Sequence, residues 1–421
     1  MNLIHWIRNI ICQYAHGGSV KKLPVLPPLL LAAALLAACA GSQPPATAPA
    51  AQAGEPAAAS PAETTVADLA AIKAYAVDQA AQMATAAARF RADVEQYHAV
   101  VAYTAAQYPD KNPYEQLWQE HPDALRQLVE QMRTNWFESS LHYELNEGIV
   151  AGVPDLAFYD AWIDAAPPAI DDPEEAVKWQ LVLADGTTLD SPGNFFHNLT
   201  EPALYGTVEE YVALRVDLDG DGTVGVSEVL PEAEHLLAAA QGLDIATQQL
   251  VAAIDAWEPT LDDAFMALVT MIPTMNEYFE QWKLSSFIQG DDVQESAFIA
   301  VSRLFDVAGI LAGLDVTYDK VSPVVNSADA GLNTQIDAGF ADLVGYVNDL
   351  YAQEQAGTVF SPEEADAFGT EAQTKATALA ALVAQAAAKA NVTLDAEVAG
   401  WEPDAPPRIE AVAPEPAGFP E

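Results

Sequence analysis

From Val66 to Val101 the chain runs without a glycine or proline, and its apolar residues return at helical spacing: Leu69, Ile72, Tyr75, Ala76, Met83, Phe90, Val94 and Tyr97. One helix of that length spans about 50 Å at 1.5 Å per residue, so its packing partners must be long too. The same spacing predicts helices at 114–148, 231–256, 259–287, 293–319, 333–354 and 362–391. Ser361-Pro362-Glu363-Glu364 reads as a helix start, with serine as cap, proline in the first turn and acids beside it. Gly357 reads as the stop of the helix before it. The predicted fold class is all-α: one helical-bundle half at 65–149, a second at 231–400, and an irregular insertion at 150–230 between them.

The insertion breaks the helical pattern. Trp179 to Leu183, then Asp185-Gly186, then Thr187 to Leu189 predicts a β-hairpin about an Asp-Gly turn. Residues 217–228 then read Asp-Leu-Asp-Gly-Asp-Gly-Thr-Val-Gly-Val-Ser-Glu, the pattern of an EF-hand-type calcium loop. Asp217, Asp219 and Asp221 hold positions 1, 3 and 5, Gly222 the sharp turn, Thr223 the backbone carbonyl and Glu228 the bidentate carboxylate. Calcium needs six to eight oxygens, and this spacing wraps them about one point. With no second loop beside it, the expected role is structural.

The ends and the charge point outside the cytoplasm. Lys21 and Lys22 precede an apolar run that closes on Leu36-Ala37-Ala38-Cys39, the pattern of a bacterial lipoprotein signal (1–38) with Cys39 as the lipidated residue. Residues 39–64 are an Ala/Pro tether, and 401–421 read as a disordered Pro/Ala/Glu tail. The expected location is extracytoplasmic, anchored to a membrane by lipid. Of 17 basic residues, Arg8, Lys21 and Lys22 precede Cys39, which leaves 14 against 61 acidic ones, a charge of −47. Such a surface repels nucleic acid and attracts cations. Cys12 goes with the signal and Cys39 carries lipid, so no disulfide is expected; stability must come from core burial and bound metal.

Few chemical motifs remain. The chain has no nucleophile elbow, phosphate loop, dinucleotide fingerprint or His-Glu-x-x-His helix. The helix ending near Gly148 carries Glu144 and Glu147, three apart and so on one face. Paired carboxylates of this kind suit a hard cation when other helices add oxygens, although a solvated acidic helix end has the same spacing. His142 points away from that pair.

Four stretches resemble the imelysin-like family, specifically its EfeO/EfeM branch of bacterial iron-uptake lipoproteins. They are Ile72 to Gln79, Pro113-Tyr114-Glu115, Phe305 to Tyr318 with Gly309, Gly313 and then Pro323, and Phe360 to Ala387. The family's Gly-x-His-x-x-Glu motif is altered: with Glu147 at its glutamate position, Glu144 stands in place of the histidine and His142 in place of the glycine. The resemblance implies two four-helix bundles meeting at a cleft and iron as cargo. It also implies an iron permease or peroxidase as partner, with Glu115, Glu144, Glu147 and His142 as metal ligands. Two other readings stand beside it. One is a calcium-dependent surface adhesin or polysaccharide binder using Trp162, Trp179, Phe195, Phe196 and Tyr205, residues that equally suit a core. The other, an imelysin-type metallopeptidase, finds no general base at an open zinc site in these motifs, and the chain reads as a binding protein rather than an enzyme.

Overall fold

The computed structural model describes residues 66–419 apart from 226, 291–292, 294–296 and 395–406. The signal peptide, the tether and the lipidated Cys39 expected from the sequence lie outside the described residues. The fold is mostly helical. Helix α1 (Leu69–Gln107) starts under an Asp68 cap and runs six residues past its predicted end. The predicted 114–148 helix is two, α2 (Pro113–Glu120) and α3 (Pro122–Val150), because Pro122 cannot donate to the preceding turn. The insertion then contributes α4 (Ala157–Asp160), β1 (Gln180–Val182), β2 (Thr188–Asp190), α5 (Glu201–Tyr205), β3 (Val212–Arg215) and β4 (Val229–Pro231). Helix α6 (Ala233–Ala256) follows. Pro273 breaks the predicted 259–287 helix, leaving α7 (Leu261–Met271), a 3-10 turn, α8 (Met275–Leu284) and the short α9 (Ser286–Gln289). Helices α10 (Arg303–Ala328), α11 (Ala330–Gln355) and α12 (Pro362–Lys389) and strand β5 (Arg408–Glu410) complete the order.

Chain order and spatial grouping differ. Helix α6, expected in the second half, packs against α1 together with α3. Helices α8, α10, α11 and α12 pack among themselves, and α3 joins the two groups by lying along α10. One apolar core runs through both groups. The α3–α10 contact is close because it is built on glycine. A Cβ on Gly313 would lie 2.4 Å from the Leu145 carbonyl oxygen, and one on Gly309 would lie 2.8 Å from the Glu144 Cβ. Glycines in α10 therefore let the glutamate-bearing turn of α3 approach its backbone. Among the described residues, no helix is long and apolar enough to cross a membrane.

The predicted hairpin is present: β1 and β2 pair antiparallel with Leu181 opposite Leu189, and Gly186 at φ 90° makes the turn. The tail corrects an expectation. Residues 407–419 are ordered against the body, with β5 parallel to β1 and Ile409 beside Leu181, buried at 5% exposure. Gln241 then clamps Val412, accepting from its N–H and donating to its carbonyl, both at 2.9 Å.

Candidate metal centre

Two widened helical turns in the insertion carry two of the candidate metal-binding residues. The first, Ala161–Ala165, is π-helical and ends where the Ala166 N–H reaches back to the Ala161 carbonyl at 2.8 Å, just before Pro167 and Pro168 stop any continuation. Asp164 sits in it. The second, Phe195–Thr200, is also π-helical. Asn194 caps it through the His197 N–H (2.7 Å), and the Thr200 hydroxyl donates to the Phe195 carbonyl five residues back. Trp136 of α3 pins that hydroxyl by donating its indole N–H at 2.7 Å. His197 sits in this turn. π-turns are uncommon and concentrate at functional sites. Beneath both lies an aromatic cluster in which Trp162 packs edge-on to Trp179 and Phe195.

These turns face α3. The ligand atoms of Glu144, Asp164 and His197 all lie within 4.8 Å of one another, and all three residues are buried. The Glu144 carboxyl is fully buried beside that of Glu147, and neither of its oxygens accepts from an N–H or hydroxyl group. Asp164 Oδ1 lies 3.0 Å from His197 Nε2 and forms an ion pair with the ring when it is protonated. The other ring nitrogen, Nδ1, lies 2.9 Å from Glu201 Oε2. A carboxylate on Nδ1 orients the ring so that Nε2 faces Asp164, the orientation that an outer carboxylate also gives a metal-bound histidine. Glu201 is held in turn by the Phe298 and Ala300 N–H groups at 3.1 and 2.9 Å. Those amides are spent on Glu201, and Phe298 adopts φ 55°, so the helix predicted from 293 begins only at Arg303, capped by Ser302.

More acids crowd the same place. Glu147 accepts from the Tyr278 hydroxyl at 2.5 Å and Asp160 from the Tyr143 hydroxyl at 2.6 Å. Buried Arg303 lies over the Tyr278 and Phe298 rings and donates to Asp306 at 2.7 Å and to Gln281 at 2.8 Å. A cleft of about 450 Å³, lined by Glu147, Asp160, Asp164, His197, Tyr278 and Arg303 among others, opens onto the cluster.

Burial makes most of these acids harder to ionise, whereas His197 holds Asp164 below the usual carboxylate range. Burial, with Asp306 next, pushes Glu144 well above the usual carboxylate range, and burial with Glu147 does the same to Asp160. Burial and Asp164 raise Glu147 to about 7; burial raises Asp306 to about 6 against the pull of Arg303. Burial works against a charge on His197, but Asp164 and Glu201 outweigh it and lift the imidazole to about 10. A metal at Nε2 must therefore displace a proton, and binding must strengthen as pH rises.

Of the four ligands expected from the sequence, the structure brings only Glu144 and Glu147 to the cluster. Glu115 is exposed on the first turn of α2, outside it. His142 turns to α1, where its Nδ1 lies 2.9 Å from Gln79 Oε1, and burial lowers its pKa to about 4. Asp160, Asp164, His197, Glu201, Arg303 and Asp306 were not predicted. The signal for two of them was the four-residue spacing of His197 and Glu201, which one helical turn brings together. Trp162, Trp179, Phe195 and Phe196 are core, and Tyr205 is half-buried beneath the Arg133 guanidinium, which leaves no aromatic platform for sugars among them.

The loop at 217–228 lies apart on the surface. It joins strands β3 and β4, not the two helices of an EF-hand, and Val224 is exposed rather than packed. Within it the Asp217, Asp219 and Asp221 carboxylates gather, and Gly220 and Gly222 take positive φ. Asp217 accepts from Gly220 and Gly222 N–H, and Glu228 reaches back to accept from Asp219 N–H at 2.9 Å. Arg126 and Arg133 tie the loop to α3 through carbonyls of Asp217, Leu218 and Ser227.

Scanned against protein-family models the chain matches none, and a search of the curated proteins finds no relative.

Proposed function

We propose that this chain is an extracytoplasmic metal-binding protein whose buried carboxylate–histidine centre takes a transition-metal cation through Glu144, Asp164 and His197. The single observation that supports this best is the convergence of Glu144, Asp164 and His197, buried with ligand atoms all within 4.8 Å of one another, while Glu201 holds the far side of the imidazole. Burial holds Glu144 and Asp160 well above the usual carboxylate range, and a cation among them would stabilise their charged forms in place of the protons. Carboxylates with one imidazole suit iron and manganese better than the all-oxygen cage that calcium favours.

Within that class the particular reading is a lipid-anchored iron-acquisition component of the EfeO/imelysin-like kind, working with an iron permease or peroxidase. Its site uses Glu144 and Glu147 but draws its histidine from the insertion instead of from the motif helix. Calcium at Asp217, Asp219, Asp221, Thr223 and Glu228 is a structural ion in this reading. Calorimetric titration with Fe(II) under anaerobic conditions tests the centre. Glu144→Gln and Asp164→Asn should each abolish tight binding, and unchanged binding in both would sink the assignment.

A further inference from the structure

We infer that residues 407–419 are a strap that docks and undocks as one unit, as a peptide ligand would, and that its docking along β1 holds the two π-turns of the candidate centre in place. The consequence for metal rests on the reading of Glu144, Asp164 and His197 as ligands; the docking does not.

The contacts are those of a bound peptide. Strand β5 adds to β1 in parallel, flanked by the Gln180 N–H on the Pro407 carbonyl at 2.9 Å and the Ala411 N–H on the Val182 carbonyl at 2.8 Å. Of residues 407–419 only Ile409 is buried, opposite Leu181. Gln241 of α6 holds both main-chain polar groups of Val412 through its side-chain amide. Farther on, the Ala417 N–H donates to the Ala99 carbonyl of α1 at 3.2 Å, and the rings of Phe419 and His121 lie 5.3 Å apart. A core element would bury a row of apolar side chains. Main-chain pairing with one apolar anchor is instead how a sheet edge takes up an extended peptide. Arg408-Ile409-Glu410 shows what fits: one apolar residue between polar ones, with Arg408 donating to Gln180 and Glu410.

What the strap holds gives it a role. Trp179 directly precedes β1. Its carbonyl accepts from the Ser191 N–H at 2.8 Å, and its indole N–H donates to the Gly193 carbonyl at 3.1 Å. The next residue, Asn194, donates its N–H to the Ala166 carbonyl at 3.0 Å and caps the turn of His197. Trp179 also packs against Trp162 and Phe195, one from each π-turn. An unbroken run of contacts thus leads from β5 through β1 and Trp179 to the turns bearing Asp164 and His197. Without β5, β1 and β2 are a two-stranded hairpin, which is marginal by itself. Undocking therefore loosens both turns together and weakens their hold on a cation.

The test keeps the full chain. Ile409→Asp removes the apolar anchor, and Gln241→Ala is a milder second variant that loses the clamp on Val412. Hydrogen exchange of the metal-free protein reads the strap at Ala411 and Val412, β1 at Gln180, and the turns at Ala166 and His197. Both variants should exchange about tenfold faster at these amides while α1, α11 and α12 keep their protection, the mark of local opening. A tethered segment acts at an effective concentration on the order of millimolar, so a synthetic peptide of residues 407–421 is added to the Ile409→Asp variant, whose own strap is weakened. The peptide should restore protection at Gln180, Ala166 and His197, and a peptide carrying the same substitution should not. Titration with Mn(II), with calcium in excess to fill the surface loop, should show about tenfold weaker binding in the variant, recovered with the peptide. Parental exchange in both variants, protection lost throughout the helices, or failure of the peptide to restore it overturns the strap. Turns that loosen while Mn(II) affinity holds overturn the consequence for metal. A parent chain that binds no Mn(II) overturns the metal reading and leaves the strap to be decided by exchange.

Discussion

Glu201 is the residue through which binding and stability can be separated. Its carboxylate is fully buried and accepts three hydrogen bonds: Oε1 from Ala300 N–H, and Oε2 from Phe298 N–H and His197 Nδ1–H. Glu201→Gln keeps the shape and exchanges one oxygen for an NH2. With the amide oxygen at the Oε2 position, His197 and Phe298 keep their acceptor and only Ala300 faces a donor; the flipped amide would lose two partners. The better arrangement leaves one buried N–H unmet, which costs about 1–3 kcal/mol. Metal affinity falls separately, because the charge that orients His197 and makes Nε2 basic is gone. Outer carboxylates of this kind are worth about 10–100-fold in affinity, or about 1.4–2.8 kcal/mol. Calorimetric Mn(II) titration at one pH, beside denaturant unfolding of the metal-free protein, reads the two losses independently. The expected result is both. Destabilisation with wild-type affinity would refute His197 as a ligand oriented by Glu201 and reduce Glu201 to a brace for the Phe298–Ala300 turn.

The remaining predictions concern the scaffold. Gly313→Ala places a methyl 2.4 Å from a backbone oxygen of α3, so it should destabilise by about 1–3 kcal/mol and weaken metal binding through the neighbouring Glu144. Gly345→Ala in α11 meets nothing within 4 Å and should stabilise by about 0.5–1 kcal/mol; equal effects in denaturant titrations would contradict the account of the α3–α10 contact. Burial holds His142 and His235 at about 4, below the ordinary 6.5. The unfolded chain therefore takes up protons that the folded chain refuses. The stability these groups contribute is present above about pH 6.5 and is lost as pH falls towards 4, up to about 3 kcal/mol for each. His142→Gln should shrink the stability difference between pH 7.5 and 4.5 accordingly, and an unaltered difference counts against a neutral buried imidazole. Calcium chelation should speed hydrogen exchange across 212–231 while α1, α11 and α12 stay protected; exchange unchanged by chelator would remove the loop from the account.

The long helices were legible because their apolar spacing is regular, as was the hairpin with its Asp-Gly turn. The Glu144–Glu147 pair was legible for a related reason: i and i+3 share a face in any ordinary helix. Asp164 was hidden by the opposite circumstance, since it lies on a π-turn, whose i→i+5 bonding no ordinary helical template reads, and His197 showed only in its four-residue spacing to Glu201. Glu201 is held by the Phe298 and Ala300 amides, about a hundred residues away, which no local window spans. Glu115 was expected by resemblance alone, and nothing in its burial supports it. The tail shows how composition misleads. A Pro/Ala/Glu segment looks coreless, yet Arg408-Ile409-Glu410 alternates polar and apolar residues, and that suffices to add one strand to an open edge.

The central claim is that Glu144, Asp164 and His197 ligate a metal. Anomalous diffraction from crystals of the full-length protein loaded with Mn(II) tests it most directly. The account predicts a strong peak bonded to the Glu144 carboxylate, Asp164 Oδ1 and His197 Nε2, with Glu201 on Nδ1. A peak confined to the Asp217–Glu228 loop, with the buried acids holding only protons, would contradict it.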